Sequence, residues 1–170
     1  MDIGFTGTQR GTKGPQLFAL NRWMAQMVMA LPVGEERVLR HGGCVGADEE
    51  VHRIGLDLSF DIEVFPGYPK GGPTRTAKRG SYSNAARVRK PLPFLERNRL
   101  IVDSSDKLAA APRQMCEVLR SGSWATVRYA LGYLEVKPLG GPITVIVFWP
   151  DGRVSTIRPG DDIPDMRKYR

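Results

Sequence analysis

The chain has little of what would tie it to a metal, a disulfide framework or a membrane. Only two cysteines and two histidines occur in 170 residues. Cys44 and Cys116 stand far apart and form no Cys-x-x-Cys unit, and His41 and His52 are separated by a whole loop and helical turn, so neither pair has the spacing of a zinc site. We therefore expect no metal and no cofactor, and so few thiols suit a reducing cytoplasm. No apolar run approaches the ~20 residues of a membrane span. Met1-Asp2-Ile3-Gly4-Phe5 lacks the basic flank and long apolar core of a signal peptide. A membrane is thus not among the expected partners.

Acids are scarce where bases are dense. The chain carries a formal charge of +7, and the segment from Pro66 to Arg99 holds nine basic residues against the single acid Glu96, which leaves the remainder close to neutral. An excess confined to one segment points to a phosphate-bearing partner more than a uniformly high isoelectric point would. Residues 66–93 also contain five prolines and four glycines with little periodicity. They read as a long basic excursion from the fold, with Lys78, Arg79, Arg87, Arg89 and Lys90 as a candidate nucleic-acid patch and Tyr82 as a candidate base-stacking residue.

What the chain does have is strand and helix patterns in alternation. Short apolar runs end near Phe5, Leu39, Phe65 and Ala111, and helical spacing follows from Pro15 to Leu31 and from Ala47 to Leu58. Met24, Met27 and Met29 read as core filling, as do Trp23 and Trp149. The alternation predicts an α/β fold, a Rossmann-like three-layer sandwich with a mostly parallel sheet. Ile143 to Trp149 and Arg153 to Ile157, joined across Pro150-Asp151-Gly152, add a C-terminal β-hairpin. We expect a single domain over residues 1–160 that carries the 66–93 insertion, then a loosely held tail over 161–170.

Ligands of such sheets collect at the carboxyl ends of the strands, where glycine-rich turns bring backbone amides close to an anion. Three candidate segments lie there. The first offers Thr6, Gly7, Thr8 and Arg10; the second is the central loop with Gly42, Gly43, Gly46 and Asp48; the third is the helix start at Ser121, Gly122, Ser123 and Thr126. Asn98 and Arg99 are candidates for a polar pocket beside them. Two helix N-termini would supply N–H donors, and Arg99 would supply the compensating charge.

The blocks Pro93-Phe94-Leu95-Glu96-Arg97-Asn98-Arg99-Leu100-Ile101 and Ser121-Gly122-Ser123-Trp124-Ala125-Thr126 resemble the Arg-Asn-Arg and Ser-Gly-Ser-x-x-Thr motifs of the DNA processing protein A (Smf) family. Gly43-Cys44-Val45-Gly46-Ala47-Asp48, with His52 downstream, resembles that family's Gly-x-Ala-x-Gly-x-Asp segment. Order and placement agree across roughly residues 1 to 150. The chain is thereby similar to the SLOG superfamily, which joins these proteins to the Lonely Guy phosphoribohydrolases. This resemblance implies a Rossmann-like fold and a nucleotide or nucleic-acid ligand.

One departure bears on catalysis. Lonely Guy enzymes carry Pro-Gly-Gly-x-Gly-Thr-x-x-Glu, and aligning Thr126 with their threonine puts Tyr129 at the catalytic glutamate. A carboxylate for glycosidic cleavage would then come from Asp48, Glu49 or Glu96. The chain is also shorter than typical DNA processing proteins. Three functions remain open: a sensor or sequestering module for a nucleotide or nucleotide derivative; a nucleoside monophosphate N-glycosidase; and a single-stranded DNA-binding module. A homo-oligomer is open as well.

Overall fold

The computed structural model describes residues 1–69, 82 and 84–169. In chain order the elements are β1 (Asp2–Gly7), α1 (Gly14–Met29), β2 (Val38–His41), α2 (Ala47–Asp57), β3 (Asp61–Val64), β4 (Gly67–Tyr68), β5 (Arg87–Val88), β6 (Leu92–Pro93), α3 (Phe94–Asp103), β7 (Lys107–Ala111), α4 (Gly122–Ala130), β8 (Thr144–Phe148) and β9 (Val154–Ile157). A short 3-10 helix over Met166–Tyr169 ends the described chain. Seven strands form one sheet in the order β5-β3-β2-β1-β7-β8-β9. All its neighbours are parallel except the antiparallel β8–β9 hairpin.

Side-chain alternation along each strand builds the three layers. On β8, Ile146 and Phe148 enter one core with Ile3 and Phe5 of β1 and with Leu20, Met24 and Val51 of α1 and α2. The intervening Val145 and Val147 enter the other, with Leu108 and Ala110 of β7 and Trp124 and Val127 of α4. A strand period of two against helices on both faces requires this division. Trp124 and Trp149 meet in the second core with ring centroids 5.8 Å apart.

Four local expectations need correction. Met29 is 84% exposed, because in the last turn of α1 it is Val28 that packs against the core. The excursion after Pro66 is partly ordered into strands: β4 pairs with β6 in a small parallel ribbon, and β5 extends the main sheet beside β3. Tyr82 packs into the first core, and a Cβ on Gly43 would lie 2.3 Å from its ring, so it is a packing residue. The segment after Asp161 is tied down, with Met166 buried in the second core.

Candidate functional site

The sheet order sets the place of the site. From the central β1 the chain first winds outward through β2 and β3, then returns through α3 to lay β7 on the other side of β1. The crevice beyond the carboxyl ends of β1 and β7 is therefore the topological switch point of the sheet, where ligands of open α/β folds bind. A cavity of about 490 Å³ opens there. Its wall includes Thr6, Gly7, Thr8 and Arg10 after β1, Cys44 and Asp48, Arg97 and Asn98 of α3, and Arg113, Arg120, Ser121, Gly122 and Ser123 before and at the start of α4. Nine of the sequence-derived candidates thus line one cavity. Arg97, Arg113 and Arg120 were not among them.

Arg97 carries most of the electrostatic interest. It is only 7% exposed, its Nη2 approaches the Cys44 Sγ at 3.7 Å, and its guanidinium carbon stands 5.9 Å from the Phe94 ring centroid. Its Nε has no hydrogen-bond partner, and no carboxylate ion-pairs with it among the described residues. A buried guanidinium without a paired anion is costly unless a ligand completes it. Burial pushes the Asp48 carboxyl up, an effect opposed by Arg97 and by the Cys44 and Gly42 amides. Burial, then Asp48, also raises the Cys44 thiol, which makes it a poor nucleophile.

Arg99, the sequence-derived source of charge, points elsewhere. Its guanidinium carbon lies 5.6 Å from the centroid of the Tyr129 ring, outside the cavity wall. Residues two apart on a helix differ by about 200° in direction, so Arg97 and Arg99 cannot face the same side. Helical spacing held the signal, since Arg97 is four residues before the buried Ile101.

The central glycine loop also has a different job from the one its composition suggests. Gly42 leaves room for Arg97, whose Nη1 would lie 1.3 Å from an added Cβ. Gly46, at φ +87°, lets the loop abut the Gln9 carbonyl, 2.6 Å from where a Cβ would stand. The loop's amides are already engaged: Gly43 N–H donates to His41 Nδ1 (3.0 Å), Cys44 N–H to Asp48 Oδ2 (3.0 Å), Gly46 N–H to Glu49 Oε2 (3.3 Å) and Ala47 N–H to the Thr8 carbonyl (3.0 Å). The chain's own carboxylates occupy the place of an anion at the start of α2, whose first turn holds Asp48, Glu49 and Glu50. Gly42, Gly43 and Gly46 are scaffold behind the wall.

The start of α4 is the opposite case. Its first turn has no acid, and Arg113 and Arg120 flank it in the cavity wall. The first N–H groups of a helix have no intrahelical partner, and here Gly122 and Ser123, which carry two of them, border the cavity. Ser121 caps the helix through a 3.5 Å contact with Trp124 N–H, and Ser123 Oγ donates to the Gly7 carbonyl at 2.9 Å, which ties α4 to β1. Thr126 is buried below this turn. Its Oγ1 accepts from Asn98 Nδ2 at 2.8 Å, so these two candidates lock α3 to α4, with only Asn98 reaching the cavity.

Tyr129 lies on the far side of α4 from the cavity. Its hydroxyl donates to Asp103 Oδ1 at 2.9 Å and lies 3.1 Å from the Lys137 carbonyl, and burial pushes its pKa up to about 12. Glu50 holds the Thr12 amide and hydroxyl at 2.8 and 2.7 Å, which shapes the loop after β1. Asp48 is then the single carboxylate of the cavity wall among the described residues.

Of the candidate nucleic-acid patch, Lys78 and Arg79 lie outside the described residues, and Lys90 is exposed. Arg89 Nε and Arg40 Nε hold the two oxygens of the buried Glu63 at 2.5 and 2.8 Å, with Arg87 Nη1 3.8 Å from the first. These arginines fasten the edge strand β5 to the sheet. Among the described residues no helix is long and apolar enough to cross a membrane, and no group of three metal-ligating side chains occurs.

The two histidines form a buried pair beneath the cavity. Because Gly43 N–H donates to His41 Nδ1, the His41 proton sits on Nε2 and is donated to His52 Nδ1 at 2.9 Å. Burial, reinforced by His52 and Arg97, lowers the His41 pKa from 6.5 to about 3. The unfolded chain therefore takes up a proton that the folded chain refuses: stability is full above pH 6.5 and declines as pH falls toward 3. The slope from this one group approaches about 1.4 kcal/mol per pH unit. Urea unfolding across that window should be visibly less pH-dependent in His41→Gln than in the wild type. Equal slopes would reject the neutral, buried His41.

Comparison with known proteins bears on the fold. No protein-family profile and no curated protein sequence matches the chain. Among solved structures it is similar to the molybdenum cofactor binding protein of the phototrophic bacterium Rippkaea orientalis, with a TM-score of 0.52 and 18% identity over 85% of this chain and 75% of that one. It is also similar to the Moco carrier protein of Chlamydomonas reinhardtii, with a TM-score of 0.41 and 21% identity over 66% of this chain and 62% of that one. The first likeness and the sheet topology establish a Rossmann-like α/β architecture with a terminal hairpin.

Proposed function

We propose that this chain is a SLOG-like binding protein that holds a nucleotide or nucleotide derivative by its phosphate, as a sensor or sequestering module. The observation that carries the proposal is the pairing, in one cavity at the switch point, of an acid-free helix N-terminus with the buried Arg97, whose Nε has no hydrogen-bond partner among the described residues. Amide donors and guanidinium together suit a phosphate monoester. Thr6 and Thr8, Asn98 and the Phe5 and Phe94 rings supply polar and apolar surface for the remainder of the ligand.

The same geometry weighs against N-glycosidic cleavage. Asp48, the one carboxylate of the cavity wall among the described residues, spends Oδ2 on the Cys44 amide, whereas such cleavage divides its acid and base or nucleophile roles between two carboxyls. Glu63 lies beside Arg87 and Arg89, but their side chains stay 65% and 48% exposed and share that one carboxylate with Arg40, so a single-stranded nucleic-acid role keeps this edge and is separated by the titration below. The Rippkaea protein is named for binding the molybdenum cofactor, so that cofactor is a second ligand to test.

Calorimetry at two salt concentrations should give saturable, one-to-one binding of AMP and weaker binding of a short oligo(dT). No binding of AMP beside tight, steeply salt-dependent binding of the oligonucleotide would replace this reading with the nucleic-acid one. Release of adenine from AMP, followed by mass spectrometry, would restore the glycosidase.

A further inference from the structure

The segment from Pro112 to Ser121 supplies Arg113, Gln114, Val118 and Arg120 to the cavity, yet has no strand or helix of its own. Something outside it must hold those guanidiniums in place, because a flexible loop pays ordering entropy each time it closes on a ligand. Its two ends are braced from the body of the fold: Gln16 Nε2 donates to the Pro112 carbonyl at 2.8 Å, and Arg128 reaches Glu117 Oε1 at 2.7 Å and the Leu119 carbonyl at 2.9 Å. The middle is braced by the C-terminal segment. Met166 N–H donates to the Met115 carbonyl at 2.9 Å, and the Met166 carbonyl accepts from Arg153 Nη2 at 3.2 Å, so the tail is pinned between the loop and the β8–β9 hairpin. The Met166 side chain is 8% exposed and belongs to the core cluster against which Met115, Val118 and Ile163 pack. Val118 therefore packs toward the tail's cluster and also lines the cavity.

We propose that the C-terminal segment is a clasp for the anion site, with Met166 as a positioning residue that sets the Arg113–Arg120 loop without touching the ligand. The inference rests on the phosphate-binding reading above. Its consequence is a two-way coupling: docking of the tail strengthens ligand binding, and by thermodynamic reciprocity bound ligand strengthens docking of the tail by the same factor.

The experiment uses the full chain with AMP as the probe. Met166→Ala is expected to weaken AMP five- to tenfold, Met166→Leu to restore it, and a chain ending at residue 164 to reproduce the loss. In wild-type protein AMP should slow carboxypeptidase digestion of the tail by a similar factor, a result that tail packing unconnected with the site would not give. Hydrogen exchange of amides 113–120 without ligand should quicken in Met166→Ala. If wild-type protein binds AMP, unchanged affinity in both the alanine variant and the shortened chain overturns the clasp, as does digestion indifferent to AMP. If wild-type protein does not bind AMP, the phosphate reading fails on its own, and unchanged exchange of 113–120 in Met166→Ala separately overturns the clasp.

Discussion

Replacing Arg97 with alanine should weaken AMP binding roughly thirtyfold, about 2 kcal/mol, while Arg99→Ala should leave it within about twofold. The two residues are separated by one position in sequence and by the body of α3 in space. Arg97 is buried in the cavity wall without an ion pair among the described residues, so its charge-assisted hydrogen bonds to a phosphate would form where water screens them least. Arg99 spends its charge on the Tyr129 ring. Loss of Arg97 also removes the cation beside Asp48, so thermal melting must accompany the titration, and Arg97→Lys separates charge from shape.

Gly42→Ala offers a second route to the same result that leaves every charge in place. An added Cβ would fall 1.3 Å from Arg97 Nη1, so the guanidinium has to move. Its affinity loss should resemble that of Arg97→Ala. Equal losses in the Arg97 and Arg99 alanine variants would reject the assignment of the buried arginine to the ligand.

Tyr129→Glu should destabilise the fold by about 3 kcal/mol and confer no hydrolase activity. By alignment the substitution looks like restoration of a missing acid. In the structure position 129 is 3% exposed and faces the Asp103 carboxylate and the Lys137 carbonyl, so a glutamate there would meet acceptors where the phenol now donates. It would also forfeit the packing of a buried ring. Tyr129→Phe, which loses the hydrogen bond and keeps the ring, should cost about 1 kcal/mol. Urea unfolding of the two variants, with nucleobase release from AMP followed by chromatography, tests both halves. A Tyr129→Glu protein as stable as wild type would reject this packing account of position 129, and one that cleaves AMP would show that this side of α4 reaches a substrate after all.

The layer architecture was legible in the sequence because it depends on periods. Thr144–Phe148 is an almost unbroken apolar run, as a strand covered on both faces requires, and the helical spacing along Gly14–Met29 presents one face to a core whatever the neighbouring elements are. The hairpin was legible for a local reason, since Gly152 takes φ +89° in the turn that Pro150-Asp151-Gly152 announces. Likewise, the serine-capped helix start identified the α4 end of the cavity, because caps are read within a few residues.

What the sequence left undecided was which of two similar features faces the cavity. Arg-Asn-Arg contains two guanidiniums, and only the seating of α3 against the sheet and α4 sends Arg97 to the wall and Arg99 to Tyr129. Two glycine-rich or serine-rich helix starts look equally ready for an anion, but the amides of the central loop are taken by Asp48, Glu49, His41 and the Thr8 carbonyl. Likewise, Arg87 and Arg89 look alike in the sequence until β3 brings Glu63 to 2.5 Å from Arg89 and 3.8 Å from the more exposed Arg87. Periodicity and caps follow from short-range geometry along the chain, whereas the fate of a charge or an amide is decided by partners far away in sequence, and only tertiary structure supplies those.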